Sequence, residues 1–75
     1  MLITPLRLAR VKRGLRLADV AAGIGTTAAQ ISNVETAKHR PSAELAERIS
    51  VYFKGEVSEI EILYPERFMS KERAA

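Results

Sequence analysis

The stretch Leu17-Ala18-Asp19-Val20-Ala21-Ala22-Gly23-Ile24-Gly25-Thr26-Thr27-Ala28-Ala29-Gln30-Ile31-Ser32-Asn33 holds the corner around which the chain is organised. Leu17, Val20, Ala21 and Ile24 fall at i, i+3, i+4 and i+7, the spacing of one buried helix face. Gly25 ends that helix, because glycine takes the left-handed conformation without a Cβ penalty. Thr27 then offers a side-chain oxygen to cap a new helix, and Gln30 completes a Thr-x-x-Gln capping box. Ile31 and Val34 supply the second helix with its apolar i, i+3 pair. One helix stops and the next begins within about three residues, which forces a sharp turn between them. Ala21 is small enough for the second helix to cross close over the first.

The 75 residues make one domain, with a core near the lower limit for unaided folding. There is no cysteine, so neither a disulfide nor a thiolate metal site is available, and a reducing cytoplasmic location is expected. His39 has no cysteine or second histidine to share a ligand set, so no metal and no cofactor are expected. The start Met-Leu-Ile-Thr-Pro does not read as a signal peptide, and no apolar run approaches the ~18 residues of a membrane span. The net charge of +3 conceals an asymmetry. Residues 1–41 carry Arg7, Arg10, Lys12, Arg13, Arg16, Lys38 and Arg40 against only Asp19 and Glu35. Residues 42–75 carry seven glutamates against five basic residues. The basic half contains the corner. Such a split points either to a polyanion partner for one face or to a solvated surface.

Further elements follow from caps and breakers. Thr4-Pro5 starts a helix over Pro5 to about Arg13, with Leu6, Ala9 and Arg10 inward, stopping at Gly14. Leu15 then enters the core. The second helix covers Leu17 to Ile24, and Arg16 at its cap position is a poor capper. The third runs from Ala28 to about Thr36. Residues 37–41 form a loop, because Pro41 disfavours helix at Arg40. Ser42 caps a fourth helix to about Lys54, ending at Gly55, with Leu45, Ile49 and Phe53 as its inward stripe. Ser58-x-x-Glu61 reads as a capping box for a short fifth helix with Ile60 and Leu63 inward, broken by Pro65. The strict alternation of Glu59-Ile60-Glu61-Ile62 also fits a strand, but a lone strand would need a partner, so helix is preferred. The tail from Glu66 is expected to be a loose turn or to fray.

Gly14-Leu15, Val20-Ala21, Ile24-Gly25, Thr27, Ile31-Ser32, Val34-Glu35, Lys38 and Pro41-Ser42 together resemble the Cro and phage-repressor (XRE-like) helix-turn-helix regulators, over about residues 5 to 63. The resemblance implies an all-α, compact five-helix domain of the lambda-repressor-like DNA-binding kind. Residues 1–63 would form that domain and 64–75 a C-terminal extension. It implies that the third helix enters the DNA major groove and that a dimer acts on a two-fold operator. It further implies a structural ion pair between Arg10 of the first helix and Glu35 near the end of the recognition helix, the alternative being two separate surface charges. Two positions depart from the family pattern. A glutamine that often donates to phosphate at the start of the second helix is replaced by Leu17, and the first two recognition-helix positions are Ala28 and Ala29.

In this docking mode the recognition helix presents its N-terminal turn to the groove. Asn33 and Gln30 belong to the two residue types that bond adenine through N6 and N7 together, and an alanine methyl suits a thymine methyl. Ala28, Ala29, Gln30 and Asn33 are therefore the base-reading candidates, with a leaning toward A·T pairs. Gln30 either reads a base or folds back to its capping partner, and the alanines either touch thymine or serve only as helix formers. Thr27, Ser32, Lys38, His39 and Arg40 are the phosphate candidates, flanked by Arg13, Arg16 and Arg7.

No nucleophile–base–orienter set, paired carboxylate in an apolar setting or glycine-rich phosphate loop is present, so no enzyme is expected. The leading reading is a DNA-binding transcriptional regulator of phage or mobile-element type, bound to double-stranded DNA as a homodimer. No small-molecule ligand and no membrane partner are expected. An autoregulating antitoxin and a protein-interaction adaptor are the alternatives. Dimerisation is expected after Gly55, with Tyr64, Phe68 and Met69 as contact candidates unless they pack on their own fourth helix.

Overall fold

The computed structural model describes residues 2–68, 70 and 71, so Met69 lies outside the described residues. Five α-helices follow one another: α1 (Pro5–Lys12), α2 (Leu17–Ile24), α3 (Ala28–Glu35), α4 (Ala43–Tyr52) and α5 (Glu59–Leu63). A 3-10 turn over Pro65–Arg67 follows α5. Short strands β1 (Leu2–Ile3) and β2 (Ser70–Lys71) pair antiparallel, Leu2 opposite Lys71 and Ile3 opposite Ser70, joining the two ends of the chain. Apart from that two-residue ladder, the domain is all-α.

Four helices start on a hydroxyl cap. Thr4, Thr27, Ser42 and Ser58 accept from the backbone N–H three residues on, at 3.2, 3.1, 3.1 and 3.2 Å. The exception is α2, whose cap residue Arg16 has no hydroxyl to offer. There Asp19 reaches back and accepts from the Arg16 backbone N–H at 2.9 Å, supplying the reciprocal half of a capping box. That bond, reinforced by the Arg16 guanidinium, holds the Asp19 carboxyl below its usual range. Its contribution to α2 is therefore present above the ordinary carboxylate range and fades as the pH falls through it.

The ends of α1, α3 and α4 share the two-bond Schellman geometry. In α3, Lys38 N–H donates to the Asn33 carbonyl at 2.8 Å and Ala37 N–H to that of Val34 at 3.1 Å. This places Ala37 at φ 61, where an L-residue costs about 1–2 kcal/mol. After α4 both Lys54 (φ 56) and Gly55 (φ 80), the stop expected from sequence, are left-handed. Gly25 (φ 90) ends α2, its N–H donating to the Ala21 carbonyl at 2.8 Å.

The core is assembled from one stripe per helix. Leu6 and Ala9 come from α1, Val20, Ala21 and Ile24 from α2, and Ile31 and Val34 from α3. Leu45, Ala46, Ile49 and Phe53 come from α4 and its cap, joined by Val57 and Ile62. Gly23 marks a close approach between α2 and α4, where a Cβ would lie 2.3 Å from the Tyr52 ring. In α5 the expected inward pair needs correction. Ile60 is 56% exposed, whereas Ile62 is 1% exposed and Leu63 is half-buried against the core. The reason lies ahead of the cap. Val57 and Ile62 occupy the two positions of a hydrophobic staple around Ser58, and the staple sets which side of α5 turns inward.

Ile62→Ala should accordingly cost about 2–5 kcal/mol. Ile60→Ala should stay within about 0.5 kcal/mol of the parent. Urea denaturation of the two variants measures the difference.

Candidate nucleic-acid interface

Helix α3, the second helix of the corner, is fixed by its inner side and its C-terminal end. Ile31 and Val34 are buried, and Glu35 is only 2% exposed. A buried carboxylate requires partners, and Glu35 has them. Arg10 Nε donates to Glu35 Oε2 at 2.6 Å and Arg10 Nη2 to Oε1 at 2.9 Å, a bidentate fork. The remaining Arg10 nitrogen, Nη1, donates to the Leu15 carbonyl at 2.8 Å, tying in the loop between α1 and α2. The hydrogen bond from Arg10 to Glu35 raises the guanidinium pKa further, so this arginine stays charged. Arg7 Nη1 approaches Glu35 Oε1 at 3.6 Å. The buried Thr4 hydroxyl, besides capping α1, donates to the Glu35 backbone carbonyl. Thus α1 holds the end of α3 through charge, and the residue before α1 holds it through the backbone.

The outer side of α3 is left open. Ala29 and Gln30 are exposed, and Ala28, Ser32 and Asn33 are half-buried. Thr27 Oγ1 accepts the Gln30 backbone N–H, but among the described residues the Gln30 side chain makes no return bond. Gln30 and Asn33 line a cleft of about 110 Å³ with Val34, His39, Arg40 and Pro41. The structure therefore brings two base-reading candidates together with two phosphate candidates. The Ser32 carbonyl accepts from the Thr36 hydroxyl at 2.8 Å.

The basic residues divide into two groups. Lys38 and His39 are exposed on the loop after α3, and among the described residues their side chains form no ion pair. Arg13 is occupied elsewhere. Its Nε donates to Glu56 Oε1 at 2.8 Å, its Nη2 to the Phe53 carbonyl at 3.1 Å, and its guanidinium lies 5.2 Å from the Phe53 ring centroid. Arg16 is 84% exposed and pairs with Asp19 at 3.3 Å. Arg40 donates to the Leu63 carbonyl, pairs with Glu66 at 3.7 Å and lies 4.9 Å from the Tyr64 ring centroid.

Four positioning residues escape sequence reasoning. Arg48 of α4 donates to the Ile24 carbonyl and so fastens the end of α2 beside the corner. Thr4 was visible as a cap, but not as a link to α3. Tyr64 and Glu66, as partners of Arg40, are separated from it by more than twenty residues, and no local pattern reports such a contact.

A helix-turn-helix family model matches residues 6–60, which spans α1 to the first turn of α5. The chain belongs to this family of helix-turn-helix proteins, of the Cro and phage-repressor type, and is a DNA-binding regulator. No curated protein and no solved structure matched the chain. Among the described residues no helix is long and apolar enough to cross a membrane.

Removing the Glu35 charge strands Arg10 in a partly buried site. Glu35→Gln should therefore destabilise the fold by about 3–5 kcal/mol, whereas an Arg10→Met/Glu35→Leu double variant should lose much less. Thermal denaturation of the single and double variants checks the sign of the coupling.

Proposed function

We propose that the chain is a sequence-specific transcriptional regulator of phage or mobile-element type that reads a two-fold operator as a homodimer in the bacterial cytoplasm. The observation that carries this reading is the division of α3. Its inner residues are buried and ion-paired, while Ala29 and Gln30 are exposed beside the open cleft that holds Asn33. Asn33 and Gln30 read adenine edges, and Ala28 and Ala29 lie against thymine methyls. Thr27, Ser32, Lys38 and His39 hold phosphates and set the register, with Arg16 flanking them. Arg13 and Arg40, occupied within the domain, support the fold around the interface. Arg10 and Glu35 form its structural ion pair. A two-fold dimer must set its recognition helices about 34 Å apart, one turn of DNA. The surface after Gly55, where Ile60 and Phe68 are exposed, forms the contact between copies.

Selection of binding sites from random duplexes at two salt concentrations tests the proposal. A two-fold, A·T-leaning consensus is expected, and failure to enrich any sequence would overturn it. Within the selected site, Asn33→Ala should lower discrimination by about 1–3 kcal/mol and leave random-duplex affinity nearly unchanged. Equal losses on both duplexes would make Asn33 a phosphate contact. Lys38→Ala should instead weaken binding to all sequences and reduce the salt slope by about 0.9.

A further inference from the structure

The loop 37–41 carries Lys38, His39 and Arg40, all exposed, and the last two line the cleft that holds Gln30 and Asn33. Its backbone leaves α3 through Ala37 in the left-handed region, and Lys38 and His39 N–H groups share one acceptor, the Asn33 carbonyl, at 2.8 and 3.2 Å. What steadies it lies at the end of α5 and in the turn that follows. Arg40 meets the Leu63 carbonyl, the Glu66 carboxylate and the Tyr64 ring, and each of these contacts falls on the segment 63–66. Arg67 lies 5.1 Å from the centroid of the same Tyr64 ring, so that ring serves two guanidiniums. His39 and Arg40 also stand between two clefts. One contains Gln30 and Asn33, and the other, of about 180 Å³, contains Leu63, Pro65 and Glu66.

From this arrangement we infer that Tyr64 and Glu66 are positioning residues for DNA binding. They hold Arg40, Arg40 holds the loop, and the loop presents Lys38 and His39 to phosphate beside the recognition helix. Arg40 itself spends its charge within the domain and does not neutralise a phosphate. The turn after α5 then belongs to the DNA-binding unit, although it touches no DNA. The inference rests on the proposed reading surface for its effect on affinity, but its first step, ordering of the loop, belongs to the free protein.

Two measurements on the full chain separate these steps. In the free protein, hydrogen exchange of the Lys38 and His39 amides should quicken in Tyr64→Ala and in Glu66→Gln, and return to the parent rate in Tyr64→Phe, which keeps the ring. Glu66 is exposed, so its variant retains the fold even if Tyr64→Ala does not. Unchanged exchange in Glu66→Gln and in a folded Tyr64→Ala would overturn the inference. On duplex DNA, Tyr64→Ala should weaken binding about two- to fivefold, the range expected for losing one exposed cation–π contact. The salt slope should remain that of the parent, because no phosphate contact is lost. Arg40→Gln should likewise weaken binding without changing the slope. A fall of about 0.9 in the slope for Arg40→Gln would make Arg40 a phosphate contact and overturn the inference. A parent chain that retains no duplex would defeat the proposed function, while the exchange rates would still decide whether the turn orders the loop.

Discussion

The structure depends on one buried carboxylate. Glu35 sits at the last turn of α3 with its oxygens forked by Arg10 and its backbone carbonyl taken by Thr4. A charge in that position is tolerable only if it is fully paired, and its partners all come from the first ten residues. The end of α3 is thereby welded to α1, with α2 lying between the two in sequence. The pair makes the position of α3 specific. Apolar burial of Ile31 and Val34 is non-directional, whereas the bidentate fork requires Arg10 and Glu35 to meet in one planar geometry.

With its far end fixed, the near end of α3 is set by the corner. Gly25 turns left-handed, Thr27 caps, and Arg48 takes up the Ile24 carbonyl exposed where α2 stops. The proposed reading surface is the remainder. Thr27 Oγ1 caps the helix by accepting the Gln30 backbone N–H, and among the described residues the exposed Gln30 side chain makes no bond back to the Thr27 backbone N–H. In the proposed function, DNA is met by residues that the fold does not consume.

Much of this was legible in the chain. Hydroxyl caps at Thr4, Thr27, Ser42 and Ser58, with periodic apolar stripes behind them, locate the helices, because capping and amphipathicity are local effects. The corner at Gly25 is local for the same reason. The inward side of α5 is not legible from Ile60 and Leu63, because the apolar pair that sets it, Val57 with Ile62, reaches outside the helix. The staple residue Val57 precedes the cap. The partners of Arg13 and Arg40 were not legible at all. An arginine in a basic segment has the same sequence signature whatever it meets, and the glutamate and aromatic ring that Arg13 and Arg40 each meet lie more than ten residues away. The short ladder between Leu2–Ile3 and Ser70–Lys71 is equally non-local, since each half is too brief to announce itself as a strand.

Amide chemical shifts recorded while a labelled chain is titrated with mixed-sequence duplex at low ionic strength test the central claim most directly. The largest changes should fall on Thr27 to Asn33 and on Lys38 and His39, with the outer side of α4 around Val51 unmoved. A titration that leaves residues 27–33 unshifted, or that moves the α4 side instead, would contradict the account.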